Sequence, residues 1–138
     1  MNVAPQDTGP RDKRLSDVEK KRVLVIDDDL PIRGMLAAAL RQHGFQVLLA
    51  GDGAEGQRAL TIHNPDVVLL DLAMPGINGW DFLQRLSETG HLGQIPIIVV
   101  SAHVRVDPQA LLQMGVAAIL PKPFNLPDLL DLIEHLAT

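Results

Sequence analysis

Four short apolar runs, each followed closely by a polar side chain, are the feature of this 138-residue chain that most constrains its fold. The runs consist of Val, Ile, Leu and Ala without polar alternation, which is typical of parallel strands that are covered on both faces of a sheet. The carboxyl ends of parallel strands meet at one edge, so the polar residues are predicted to meet there. The runs and their polar neighbours are 23–26 before Asp27, 67–70 before Asp71, 97–100 before Ser101, and 117–120 shortly before Lys122.

Helical patterns between the runs predict five βα units. The economical architecture is a doubly wound five-stranded parallel sheet, because short crossovers between parallel strands are right-handed and place helices on both faces. The predicted strands lie near 22–26, 45–49, 66–70, 96–100 and 117–120, and the predicted helices near 30–43, 53–63, 79–88, 107–114 and 125–137.

Length and charge suggest one acidic domain behind a basic extension. Residues 21–138 are expected to form the domain, and residues 1–20 a disordered or partly helical extension, because their start is rich in Pro, Gly and Asp. Residues 1–22 hold six Lys/Arg against four Asp/Glu, whereas residues 23–138 hold six against thirteen. An acidic body is a poor platform for nucleic acid, whose binding depends on phosphate neutralisation.

The chain has no cysteine, so disulfides and thiolate metal sites are excluded. Its apolar runs are far shorter than a membrane span, and no secretory signal is recognisable at the N-terminus. These features predict a cytoplasmic protein with no membrane partner.

The predicted strand-end site combines carboxylates, a hydroxyl and an ammonium. Oxygen ligands in small number suit Mg²⁺, which keeps several waters and takes phosphate oxygens as further ligands. Asp71 is the candidate nucleophile, since a carboxylate can attack a phosphoryl group and form an acyl phosphate. Lys122 would pair with the new anion, and Ser101 would donate a hydrogen bond to it. Asp29, by contrast, is predicted to be a helix cap rather than a ligand.

The sequence resembles a response-regulator receiver domain, the phosphoacceptor module of two-component signalling. The resemblance covers about residues 21–137 and implies the flavodoxin-like (βα)5 receiver fold. The segments that carry it are 23–29 (VLVIDDD), 71–79 (DLAMPGING), 99–102 (VVSA) and 120–124 (LPKPF).

The resemblance also implies a division of roles. It implies that Asp71 accepts a phosphoryl group from a sensor histidine kinase or a phosphotransfer protein, and that Mg²⁺ is the cofactor. The chemistry would be self-phosphorylation and self-dephosphorylation, so the chain is not expected to be an enzyme. The implied metal set is Asp28 and Asp71 by side chain, Ala73 by its backbone carbonyl and Asp27 through water, with Ser101 and Lys122 sensing the phosphoryl group.

Position 119 departs from the family pattern. Receivers usually carry Tyr or Phe three residues before the lysine, where this chain has Ile119. That aromatic moves with the hydroxyl residue and transmits the signal, so a modest change of the distal surface is expected here. The downstream protein target is not indicated, and the resemblance leaves room for a homodimer that forms on phosphorylation.

Three other functions remain open on the residues alone. The first is a Mg²⁺-dependent phosphatase with Asp71 as nucleophile, although such enzymes usually carry a second acid where Ala73 stands. The second is a flavin-binding module, although acid replaces the phosphate-binding loop expected after the first strand. The third is the truncated receiver of a DNA-binding transcriptional regulator.

Overall fold

The computed structural model describes residues 20–72, 79–90, 92–101 and 107–137, and Ser101 by its backbone only. Residues 1–19 of the predicted extension therefore lie outside the described part. The strands are β1 (Arg22–Ile26), β2 (Gln46–Ala50), β3 (Val67–Asp71), β4 (Ile97–Ser101) and β5 (Ala118–Pro121). The helices are α1 (Leu30–Gln42), α2 (Gly53–His63), α3 (Gly79–Glu88), α4 (Pro108–Met114) and α5 (Leu126–Leu136).

The strands form one parallel sheet in the order β2-β1-β3-β4-β5. The chain moves outward to one edge through β2, returns across β1 to β3, and then continues to the other edge. This is the predicted doubly wound five-stranded fold. Its topological switch point lies between β1 and β3, where ligands bind at the carboxyl ends of strands.

The two faces of the sheet bury separate cores. Successive strand residues point to opposite faces, so Val23 and Val25 contribute to one cluster while Leu24 and Ile26 contribute to the other. Helices α1 and α5 cover the first cluster, and α2, α3 and α4 cover the second. Apolar burial on both faces, rather than alternation along a strand, is therefore what the continuous runs encode.

Four strands end one residue later than the apolar pattern predicts, and in two of them the added residue is polar. Asp71 pairs with Val100 as the last residue of β3, and Ser101 pairs with Pro121 as the last residue of β4. The polar residues are thus part of the ladder and are not in the loops that follow. Backbone pairing therefore fixes the position of the Asp71 Cα atom, from which its side chain extends.

The predicted cap at Asp29 is confirmed. Its carboxylate accepts a hydrogen bond from the backbone N–H of Ile32 at 3.1 Å, which satisfies one of the donors left free at the start of α1. Pro31 occupies the first turn of the helix, where its missing N–H costs nothing.

In α1 and α3 the helical spacing of apolar residues predicts that Met35 and Trp80 face the core, but both are exposed. Met35 in α1 is 51% exposed and Trp80 in α3 is 39% exposed. In α1 the small Ala37 is buried instead, beside Leu36 and Leu40. The buried stripe of each helix is therefore narrower or rotated compared with the prediction.

Candidate metal and phosphoryl site

Three carboxylates converge at the switch point. Asp27 follows β1 and Asp71 ends β3, and both are buried, while Asp28 is exposed. One carboxylate oxygen from each lies within 4.8 Å of the others. The name acid cluster is used below for these three residues. Among the described residues they form the one group of this kind.

Backbone hydrogen bonds hold Asp27 in place. Its N–H donates to the carbonyl of Ala50 at 3.0 Å, which extends the pairing of β1 with β2 by one step. Its side-chain Oδ1 accepts from the N–H of Asp29 at 2.9 Å. Asp27 thus closes a tight turn between strand and helix, with Oδ2 left to face the rest of the site.

Lys122 reaches the acid cluster from the edge strand. It follows β5 directly, and its Nζ lies 3.4 Å from Oδ2 of Asp71 and 3.9 Å from Oδ2 of Asp27. The peptide bond between Lys122 and Pro123 is cis. The lysine side chain is 22% exposed, so one partly desolvated cation faces two buried anions.

A close backbone contact fixes the far wall of the site. The N–H of Gly79 donates to the carbonyl of Leu72 at 3.1 Å. A Cβ on Gly79 would lie 2.5 Å from Cα of Leu72 and 2.6 Å from the carbonyl oxygen of Asp71. Only glycine fits here, because the obstructing atoms are backbone and cannot move aside. The start of α3 is therefore pinned to the end of β3.

Burial raises the pKa of Asp27 above its ordinary value of 3.8. The neighbouring charge of Asp71 adds to the rise, and that of Asp28 contributes less. The hydrogen bond from Asp29 and the Lys122 ammonium act in the opposite direction without cancelling it. Repulsion within the acid cluster therefore adds to the effect of burial at Asp27.

The raised pKa predicts that the contribution of Asp27 to the stability of the metal-free protein falls as pH rises. Above pH 3.8 the unfolded state releases the Asp27 proton first, so the folded state binds more protons until pH passes its raised pKa. Asp27→Asn should abolish this loss and, near pH 7 in EDTA, raise the free energy of unfolding by on the order of 1 kcal/mol. Urea melts between pH 4 and pH 7 measure the effect.

Asp29→Asn is the matched control for this prediction, since it removes the same charge and Asn caps a helix equally well. It should leave the pH slope nearly unchanged. A metal-free Asp27→Asn protein that is less stable than the parent at pH 7 would contradict the prediction that the negative charge of Asp27 destabilises the folded state.

The structure brings together most of the residues predicted for the site. Asp27, Asp28, Asp71 and Lys122 meet as expected. The Ser101 backbone lies at the same edge, in register with the residue before Lys122. Ala73 lies outside the described residues, so its predicted role as a metal ligand stays a prediction. The sequence prediction missed Arg33, whose Nη1 donates to the Asp27 carbonyl at 3.3 Å.

The donor set of the acid cluster fits Mg²⁺. Mg²⁺ prefers oxygen ligands and needs only one or two protein carboxylates beside water and phosphate. The cluster supplies three carboxylates on three fixed backbone positions. Their mutual repulsion gives a cation a direct electrostatic benefit.

Comparison with known proteins gives consistent matches. The family model of the response regulator receiver domain matches residues 23–134. Response regulator MprA from Mycobacterium sp. (strain KMS) is 39% identical over 110 residues, which are 79% of this chain and 47% of that protein. Transcriptional regulatory protein PrrA from Mycobacterium tuberculosis is 38% identical over 120 residues, which are 86% of this chain and 51% of that protein.

A solved structure matches at the level of the fold and of the sequence. Response regulator TrrA from Thermotoga maritima, solved in complex with Mg²⁺ and BeF, has a TM-score of 0.74 and 28% identity. The match covers 84% of this chain and 98% of that chain. By contrast, this chain spans about half the length of the curated relatives that it matches. Within the described residues, no helix has the length and apolar character needed to cross a bilayer.

Proposed function

Because this chain belongs to the response-regulator receiver family of two-component signalling, we propose that it accepts a phosphoryl group on Asp71 and thereby switches a protein-binding surface. The observation that carries the proposal is the position of Asp71, which is buried on β3 with the Lys122 ammonium 3.4 Å from Oδ2. The donor would be a sensor histidine kinase or a phosphotransfer protein, acting in the cytoplasm.

The reaction is a direct displacement at phosphorus. A carboxylate oxygen of Asp71 attacks the phosphoryl group, the bond from phosphorus to the donor breaks, and the donor leaves with that electron pair. Asp28 and Asp71 would hold Mg²⁺ by their side chains, and Asp27 would contribute through water. The cation would neutralise charge on the incoming phosphoryl oxygens. The product is an acyl phosphate on Asp71.

Lys122 has two partners in the unphosphorylated state and one stronger partner afterwards. A phosphoryl group brings about -1.5 to -2 charge at neutral pH by analogy with other phosphoresidues. The ammonium would exchange its two carboxylates for phosphoryl oxygens through charge-assisted contacts. Ser101, at the end of the neighbouring strand, is proposed as a hydrogen-bond donor to the same group. These exchanges couple Asp71 to β5 and the loop after β4.

The proposal excludes general phosphatase turnover, and this supplies its test. With Mg²⁺ and acetyl phosphate, the protein should incorporate up to one phosphoryl group per chain, measured by intact mass. With p-nitrophenyl phosphate it should release no more nitrophenol than Asp71→Asn does. Sustained turnover of that ester, lost in Asp71→Asn, would favour the phosphatase instead.

A second candidate follows from the lengths of the relatives. MprA and PrrA are about twice as long as the matched region, and PrrA is named a transcriptional regulatory protein. The same receiver could therefore serve as the input half of a DNA-binding regulator. The reading frame downstream of codon 138 decides between this role and that of a stand-alone receiver.

A further inference from the structure

Arg33 makes a polar contact behind the acid cluster that no role so far explains. It lies in the second turn of α1, and its Nη1 donates to the backbone carbonyl of Asp27 at 3.3 Å. The same residue, Asp27, receives the Asp29 N–H on its side chain. The guanidinium therefore holds the backbone at the one point where β1 turns into α1 and where two of the three carboxylates begin.

Gly51 provides the space in which the guanidinium lies. A Cβ at position 51 would be 2.6 Å from Nη1 of Arg33 and 3.3 Å from Oε1 of Glu55. Glu55 in turn accepts a hydrogen bond from the Gly51 N–H. The backbone of Gly51 is outside the left-handed region, so its conformation does not require glycine. The guanidinium of Arg33 occupies the space that a side chain at position 51 would fill.

We propose that Arg33 is a positioning residue of the metal site, and that the absence of a side chain at Gly51 is what allows it to hold the Asp27–Asp29 turn in its metal-binding geometry. This inference rests on the proposed function for the identity of the metal. The contact itself joins α1 to the end of β1 and lies beside the β2–α2 loop.

The effect of removing Arg33 on Mg²⁺ affinity has opposite signs for a positioning role and for a purely electrostatic role. A cation beside a metal site weakens binding of Mg²⁺ through repulsion, so an Arg33 that acted only through its charge would tighten binding when removed. An Arg33 that positions the turn weakens binding when removed. Partners that orient metal ligands typically change affinity by about 10–100-fold, so the sign of the change is measurable.

Gly51→Ala moves the guanidinium without removing its charge. The obstructing atom is the far end of a flexible side chain, so the fold should survive while Arg33 leaves the Asp27 carbonyl. Gly34→Ala is a matched control, because a Cβ there meets nothing within 4 Å. Arg41→Met is a second control, since it removes an exposed arginine from the last turn of the same helix.

Mg²⁺ titrations by calorimetry should show dissociation constants raised about tenfold in Arg33→Met and in Gly51→Ala. Arg33→Lys should recover part of the affinity, and both controls should match the parent. In the Arg33→Met background, adding Gly51→Ala should change the Mg²⁺ dissociation constant by less than about twofold, because both substitutions remove the same contact.

A second readout needs no metal. The amide of Asp29 should exchange with solvent faster, and its NMR signal should shift, in Arg33→Met and Gly51→Ala but not in the controls. Unchanged or tighter Mg²⁺ binding in Arg33→Met, or independent effects of the two substitutions, would overturn the inference. If the parent protein binds no Mg²⁺, the proposed function falls, and the Asp29 amide alone then decides the role of Arg33.

Discussion

Asp71→Asn is expected to abolish labelling of the protein by acetyl phosphate in the presence of Mg²⁺. The amide is a poor nucleophile and a weaker metal ligand than the carboxylate, so the loss should be complete at the detection limit of intact mass spectrometry. The label on the parent protein should be labile to hydroxylamine, which cleaves acyl phosphates but leaves phosphoserine intact.

Asp29→Asn is the matched control, because it removes one carboxylate two residues from Asp27 and preserves the helix cap. It should retain the label. Label that persists in Asp71→Asn, or that peptide mapping locates on Ser101, would refute the assignment of Asp71 as phosphoacceptor.

Mg²⁺ is expected to stabilise the protein by about 2.7 kcal/mol at a concentration 100 times its dissociation constant. The cation binds the assembled acid cluster, whereas the unfolded chain separates Asp27 from Asp71 and offers no such site. For a domain of this size the gain corresponds to a rise in Tm of roughly 10 °C. Thermal melts by circular dichroism across a Mg²⁺ series measure it.

Asp71→Ala should lower this Mg²⁺ gain and, by easing repulsion, make the metal-free protein more stable. Asp131→Asn, which removes an exposed carboxylate on α5, is the control for net charge. Equal Mg²⁺ shifts in Asp71→Ala and in the parent protein would show that the cation binds elsewhere.

Much of the fold and most of the site follow from the sequence because both depend on local patterns. Continuous Val, Ile and Leu runs mark buried parallel strands, and the polar residue that ends each run marks the edge where ligands bind. That edge brings Asp27, Asp71 and Lys122 together without knowledge of their side-chain geometry. The pattern does not predict the last residue of each strand, because a charged residue that is paired in the sheet looks like a loop residue in the sequence. Asp71 is the example.

Tertiary contacts account for what the sequence did not predict. The contact of Arg33 with the Asp27 carbonyl depends on the absence of a side chain at Gly51. The separation of Arg33 and Gly51 along the chain matches no known motif that would predict it. The exposure of Met35 and Trp80 depends on how α1 and α3 are rotated against the sheet. A raised carboxylate pKa follows from the closeness of the carboxylates, but burial, its largest cause at Asp27, is set by the tertiary fold.

Ile119 occupies the position at which related receivers carry an aromatic residue. It pairs with Val99 and packs, half-buried, against the second core cluster. An aliphatic side chain in that place has no hydroxyl and no large ring to exchange between the interior and the surface. We therefore still expect phosphorylation to change the distal surface only modestly, and this stays a prediction.

Asp71, the proposed phosphoacceptor, lies on the central strand of the sheet. Strand β3 is the third of five strands, it is paired on both sides, and all five of its residues are buried. A new charge on Asp71 cannot be accommodated by moving that strand, because any displacement would break two ladders and both cores. If Asp71 is phosphorylated as proposed, we expect it to stay in place, and we expect the groups that approach it from the periphery to move.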